Sequence, residues 1–514
     1  MKYNTFVAYL FLSAGPRWSE SIKGPTRAWV QDKVRLKLSS SVLKMAASMP
    51  ASSRVNEETS LSLIDDDSQR GGSASLELPL GNVLSNAALV AGNMIGAGVL
   101  ALPEVARAPG FVLSTAGMVV VWAYCLATGL LIAECSGDGR ESIRKMAEVS
   151  LGRTAGNAMC AAFLAANYLL MVAYISQGGS LLSNLPFVSS DAYHPIMEYF
   201  SNGLSLAPLM FTALAGTVGL WGPSRWVNTT NSMLVGVIAL TFVGLVRTGM
   251  PHVELASLGY TPDASALPAM LPVALCALAF QNVVPLVSKN LEGDSKGIRS
   301  SLIIGSGIPL SIYVLWNAVV LGNTSGMVNS VVDSATNGVE AVGPSSYINV
   351  LIDSSPSLGL MVSVFSMAAI ITSFWGAASS LMMECTQLAE KMVDSRLGKD
   401  STAATEDPSV ATKNSNSASK DVVVKSAASA LVLLPPAVVS VACPDSFLSA
   451  LQYTGVFVDP FLYGLAPAVM AYRLRGEIGH TQQKEMLPGG TVALVALATL
   501  TAAYTLWQTS LLIG

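Results

Sequence analysis

Charge is what this sequence has least of. Only 12% of its 514 residues are Asp, Glu, Lys or Arg and 51% are hydrophobic, against roughly 25% charged in a soluble domain. Such a chain cannot cover a soluble surface, whereas about 20 apolar residues in a row suffice to cross a bilayer. Histidine is scarcer still. His194, His252 and His480 all fall in loop stretches, which excludes a His/Cys metal constellation and a Ser/His/Asp hydrolase inside the apolar segments. The six cysteines (Cys125, Cys135, Cys160, Cys276, Cys385, Cys443) have no paired spacing and sit in or beside apolar runs, where a thiol serves as a small packing residue. The net charge of −4 assigns no partner, and no basic patch marks a nucleic acid.

What is present is a series of long apolar runs. Stretches with little or no charge place eleven spans near 84–106, 112–134, 157–183, 204–221, 230–248, 267–290, 300–322, 356–384, 426–443, 446–472 and 489–513. The ninth is the weakest, being short and carrying Pro435-Pro436. Seventeen Lys or Arg lie at or beyond the ends of even-numbered spans, whereas only Arg107 and Arg247 belong to the other side. This asymmetry orients the chain, with the start of the core inside and the C-terminus outside, and it supports an odd number of spans.

The core is expected in two pieces, 78–394 with spans one to eight and 426–514 with spans nine to eleven. The polar stretch 395–425 between them reads as a flexible inside linker. Residues 1–75 read as a presequence or tail. Within 1–54 there are nine Lys or Arg and only Glu20 and Asp32 as acids, a composition that suits an organelle transit peptide and also a disordered cytosolic tail.

Two spans are interrupted. LSNAALVAGNMIGAGVLALPEVA (84–106) carries Gly92, Gly96 and Gly98, each costing roughly 1 kcal/mol relative to Ala in a helix interior. LPAMLPVALCALAFQNVVPLVSKNL (267–291) carries Pro285, which removes an amide donor and clashes with the preceding turn. Interrupted spans at matching places in the two halves of a membrane protein point to a carrier's midplane site. A half-helix starting near Gly98 aims its free amides, with their partial positive charge, into the break, where a carboxylate fits. The stretch Ala279-Phe280-Gln281-Asn282 offers free carbonyls, two amide side chains and one aromatic ring. Together these are what a zwitterionic amino acid needs: an anion site, a carbonyl-rich ammonium site and a side-chain pocket. The competing reading is that the glycines only permit close helix packing. A nucleotide loop is excluded, because Gly96-Ala97-Gly98 continues into VLALPEVA inside an apolar span rather than a strand–turn–helix unit.

These residues carry a resemblance. GNMIGAGVLALPEVA, LPVALCALAFQNVVPLV, IIGSGIPLSIYVLWNAVVLG (303–322), TSFWGAASSLMME (372–384) and QYTGVFVDPFLYGLAPAVMAY (452–472) closely resemble the tryptophan/tyrosine permease family of hydroxy and aromatic amino acid permeases, over about residues 78–513. The resemblance implies an all-α polytopic membrane protein with about eleven transmembrane helices, a 5+5 inverted repeat with broken helices one and six, and no enzymatic activity or cofactor. It implies a substrate carboxylate at Gly96, Ala97 and Gly98, with Gly92 and Asn93 at the end of the first half-helix. Ala279, Phe280, Gln281 and Asn282 would form the second break. Phe280 and Gln281 would line the side-chain pocket, with Tyr168 or Tyr174 as neighbours. Thr372 and Ser373 occupy the region where sodium-coupled relatives of this fold place cation ligands. One departure stands out: bacterial members often carry Gly-Phe-His where this chain has Ala279-Phe280-Gln281, so no imidazole is available there. Homologues in plastid-containing eukaryotes carry presequences, which implies the plastid inner envelope, with a plasma or other organelle membrane as the alternative.

Ionisable residues inside spans are functional by default. Asp459, near the middle of the tenth span, is the best proton-relay candidate, while Glu134 is expected at a helix end within reach of the headgroups. Glu104 and Glu384 are expected near the interfaces. No Lys lies in the fifth span (230–246), which excludes a lysine-based proton switch there. The expected partners are the lipid bilayer, an amino acid substrate and a coupling ion, proton or sodium. The alternative function is an amino-acid-binding membrane receptor or channel, or a sodium-coupled carrier of other small amino acids.

Overall fold

Lipid supplies no partner for a main-chain amide or carbonyl, so apolar runs of this length fold as helices, which pair their own. A computed structural model of the chain describes residues 80–513 apart from 137–141, 184–205, 254–257, 260–262, 336–355, 401–412 and 478–484. The presequence expected at 1–75, and His194 and His480, lie outside the described residues.

Among the described residues every regular element is helical. The first half contains α1 (Leu80–Met94), α2 (Gly98–Ala106), α3 (Phe111–Cys135), the short α4 (Ile143–Leu151), α5 (Arg153–Ser183), α6 (Ala207–Trp221) and α7 (Ser224–Gly249). The second contains α8 (Leu267–Leu278), α9 (Val284–Asn290), α10 (Ser295–Ala335), α11 (Pro356–Asp400), α12 (Lys413–Ala442), α13 (Phe447–Tyr453), α14 (Ala466–Glu477) and α15 (Gly490–Ile513). Nine helical stretches are long and apolar enough to cross a membrane, and α1 with α2 makes a tenth, bent by 60°. The shorter apolar α6 falls where the fourth span is expected, so each of the eleven expected spans has its helix.

The spans pack in two groups. α10 lies along α1, and α8 packs on α2 and α3, joining spans one, two, six and seven. α11 packs on α5, α6 and α12, joining spans three, four, eight and nine. The tenth span, α13 through α14, touches both groups through α5 and α8. α7 and α15 keep most of their surface outward. Each five-span half therefore opens on an interrupted helix, which is the 5+5 inverted repeat.

Prolines inside these helices free carbonyls four residues upstream, or five in a π-helical turn, and a side chain from another helix meets each of three such groups. Pro435 frees the Leu431 carbonyl, which accepts from the Tyr168 hydroxyl at 2.8 Å. Pro272 frees that of Pro268, which accepts from Gln508 Nε2 at 2.9 Å. In the tenth span two π-helical turns, Thr454–Val458 and Pro460–Leu465, flank Asp459. Pro460 there withholds its amide from Gly455, five residues back, and Tyr504 donates to the Gly455 carbonyl at 3.2 Å. The ninth span accordingly continues through Pro435-Pro436 as part of a 30-residue helix, with Tyr168 meeting the Leu431 carbonyl.

The structure departs from expectation at Glu134. Its side chain is only 7% exposed and does not reach outward. Arg475 donates to both carboxylate oxygens, Nε at 2.6 Å and Nη2 at 2.8 Å, and the Met486 amide adds a third bond at 3.0 Å. A partner 341 residues away makes burial affordable for this carboxylate, a pairing that local sequence does not display. Glu384 pairs with Arg144 at 3.7 Å. The stretch expected as a flexible linker is partly helical: α11 continues to Asp400 and α12 begins at Lys413, while 401–412 lies outside the described residues.

Candidate functional site

The first break follows the glycines. α1 ends at Met94, Ile95-Gly96-Ala97 interrupt the helix, and α2 restarts at Gly98. A new helix begins with orphan amides, and Ala97 has no side chain to cap them. The Ser373 hydroxyl of α11 does so instead, accepting from the Ala97 amide at 2.8 Å. On the other side of the break the Met94 carbonyl accepts from the Tyr313 hydroxyl of α10 at 2.5 Å.

The second break falls within Ala279–Asn282, upstream of Pro285. α8 ends at Leu278, Ala279 and Phe280 are non-helical, and Gln281–Val283 make a 3₁₀ turn into α9. Pro285 sits in the first turn of α9, where its missing amide costs nothing. The interruption is closed by Gln281, whose Oε1 accepts from the Phe280 amide at 2.8 Å. Its Nε2 donates to Thr128 Oγ1 at 2.9 Å on α3.

The two breaks are joined directly. Asn93 and Asn282 exchange side-chain hydrogen bonds at 2.9 and 3.1 Å. Tyr313 also donates to the Ala277 carbonyl at 3.3 Å, so one hydroxyl ties the ends of both half-helices. Gly98 faces Ala277 so closely that a Cβ at residue 98 would fall 2.9 Å from that of Ala277.

The sequence-derived residues therefore separate into distinct environments. Gly92, Asn93 and Asn282 are exposed, and nothing lies within 4 Å of where a Gly92 Cβ would stand. Gly96 and Gly98 are half-buried, and Ala97 is buried. Phe280 and Gln281 are 0% exposed and turn toward α3, where Phe280 fits against Gly129. Tyr168 is occupied with Leu431, away from the breaks. Tyr174 reaches Ser373, and Thr372 donates to the Ala368 and Ala369 carbonyls of its own helix at 3.1 and 3.0 Å. Tyr313 is the residue that motif reading passes over; its only signal is a lone phenol halfway along the seventh span.

Asp459 is 5% exposed and sits between the two π-helical turns. The phenols of Tyr124, Tyr174, Tyr463 and Tyr504 stand within electrostatic reach of its carboxylate. π-helical turns inside α-helices are frequent at functional sites, and this one places an ionisable group where both helix groups meet.

Two interrupted helices facing each other at mid-span define the class, an all-α, multi-pass integral membrane protein of secondary-carrier architecture. Within that class the chain belongs to the tryptophan/tyrosine permease family, whose profile matches residues 81–508, and it is a permease rather than an enzyme. It is similar to tyrosine-specific transport system 1 of Haemophilus influenzae, 27% identical over 80% of this chain and 92% of that protein. It is likewise similar to the tryptophan-specific transport protein of Pseudomonas aeruginosa, 27% identical over 80% and 91%. Its fold matches the crystal structure of MhsT in complex with L-phenylalanine, with a TM-score of 0.50 and 14% identity over 85% of this chain and 99% of that one.

The two amides of the second break are expected to separate on substitution. Gln281→Leu leaves the Phe280 amide without its partner and removes the donor to Thr128 Oγ1, at a cost of roughly 1–3 kcal/mol. It should lower the melting temperature of the detergent-solubilised protein. Asn282→Ala, at an exposed position, should leave melting within error and weaken substrate binding instead. Equal melting losses in both variants would contradict this division.

Proposed function

We propose that this permease carries aromatic amino acids, tyrosine or tryptophan, across its membrane by alternating access and in symport with protons. The observation that carries the reading is the joined pair of breaks, in which main-chain groups of spans one and six are brought together by Asn93, Asn282 and Tyr313. The substrate carboxylate meets the amides at Gly96, Ala97 and Gly98, helped by the partial positive charge at the start of α2. The exposed Gly92, Asn93 and Asn282 mark the side from which the ligand enters. The tyrosine- and tryptophan-specific relatives support an aromatic substrate. With Phe280 and Gln281 packed against α3, and Tyr168 engaged with Leu431, Tyr174 is the aromatic neighbour that remains beside the break.

Asp459 is the proton carrier in this reading. A carboxyl group between two π-helical turns, in the span that contacts both groups of helices, can exchange its proton as those groups move. Sodium is the competing ion, and Thr372 and Ser373 are the hydroxyls it would meet. The Ser373 oxygen is already engaged, accepting from the Ala97 amide.

Uptake of labelled tyrosine into proteoliposomes tests the mechanism. Accumulation should rise several-fold when the outside is made more acidic than the lumen and should be indifferent to replacing sodium with choline. Asp459→Asn should flatten the response to the pH gradient. Binding without accumulation would sink the carrier reading, and an unaltered pH response in the variant would assign Asp459 to structure.

The membrane proposed is the plastid inner envelope, on the basic, acid-poor composition of residues 1–54. A fluorescent protein fused behind residues 1–80 should enter plastids and be processed. Cytosolic fluorescence, or entry into the secretory pathway, would contradict that address.

A further inference from the structure

We propose that the Ser373 hydroxyl is a built-in competitor for the substrate carboxylate, and that displacing it frees span eight from span one. The inference rests on the carboxylate site proposed above and adds to it a specificity-determining residue.

Three observations carry it. The Ala97 amide, foremost of those at the start of α2, is already taken, by a hydroxyl from a helix of the opposite group, 276 residues away in sequence. The space for that hydroxyl exists because residue 96 is Gly: a Cβ there would fall 2.5 Å from Ser373 Oγ. Tyr174 of α5 lies beside Ser373, so span three flanks the contact between spans one and eight. The two hydroxyls at the break differ in how firmly they are held. Tyr313 is fully buried, with a rigid ring and two acceptors, one from each break. Ser373 is half-buried, and its hydroxyl swings by rotation about a single bond.

The chemistry gives the exchange a direction. A serine oxygen is a neutral acceptor, whereas a carboxylate on the same amide makes a charge-assisted bond about twice as strong. The dipole of α2 adds to the preference for negative charge. A ligand with a carboxylate therefore takes the amide, and an amine without one does not. Once displaced, Ser373 no longer holds α11 to the first break, and the two groups of helices are free to move apart. Apo protein stays latched, and only a carboxylate-bearing ligand unlatches it.

A substrate ligand and a competitor respond oppositely to deletion. Binding of tyrosine and of tyramine, which lacks the carboxylate, should be measured by calorimetry on the solubilised full chain and on Ser373→Ala. We expect tyrosine to bind the variant about three- to ten-fold more tightly, the range that one lost hydrogen bond spans, with tyramine unchanged. Ser373→Cys, which keeps the size and weakens the acceptor, should fall between the two and guards against a misfolded alanine variant. Equal or weaker tyrosine binding in both variants overturns the competitor role and leaves the carboxylate site standing. Tyramine binding as tightly as tyrosine to the unaltered protein removes the carboxylate site itself, and the inference with it.

Discussion

A main-chain amide or carbonyl freed within the bilayer has no water to bond, and an unpaired one costs several kcal/mol. The interrupted and proline-bearing helices of this permease depend on meeting that demand from outside the helix concerned. Tyr168 supplies the Leu431 carbonyl, Gln508 that of Pro268, and Tyr504 that of Gly455. At the breaks Tyr313 serves Met94 and Ala277, Gln281 serves Phe280 and Ser373 serves Ala97. These six polar side chains in otherwise apolar spans are thereby accounted for. They stand where a neighbouring helix has an exposed main-chain group.

Those bonds differ in what they connect, and the difference separates scaffold from machinery. The Leu431 and Pro268 pairs bind helices within a group or fasten the eleventh span. The bonds of Tyr313 join spans one, six and seven into one body, consistent with their packing together. The bond from Ser373 crosses between the groups. Alternating access needs rigid bodies and a weak seam between them, and the half-buried serine lies on that seam. Asp459 lies in the span that touches both groups. The bidentate Glu134–Arg475 pair joins the ends of spans two and ten around the Met486 amide.

Much of the fold was legible because the bilayer writes it in composition. Eleven apolar runs, the basic loops between them and the glycines of the first span correspond to what the helices do. The site was less so. Pro285 looked like the breaker of the sixth span but opens its second half, because a proline in a first turn and one in a helix interior are identical in sequence. Tyr168 and Gln281 resembled pocket residues, yet Tyr168 answers to the Leu431 carbonyl and Gln281 to the Phe280 amide beside it and to Thr128 of α3. Glu134 looked interfacial until Arg475 was found beside it. Each of these depends on a partner or a helix register that local pattern does not reveal, and nothing in the 303–322 stretch shows that its Tyr313 serves two carbonyls on other helices.

The most direct test of the account is a structure of the full chain determined with tyrosine bound. The account predicts the ligand between the two breaks, with a carboxylate oxygen on the Ala97 amide, the Ser373 hydroxyl turned away and the Tyr313 bonds intact. A ligand seated elsewhere, or bound with the Ala97–Ser373 bond unbroken, would contradict it.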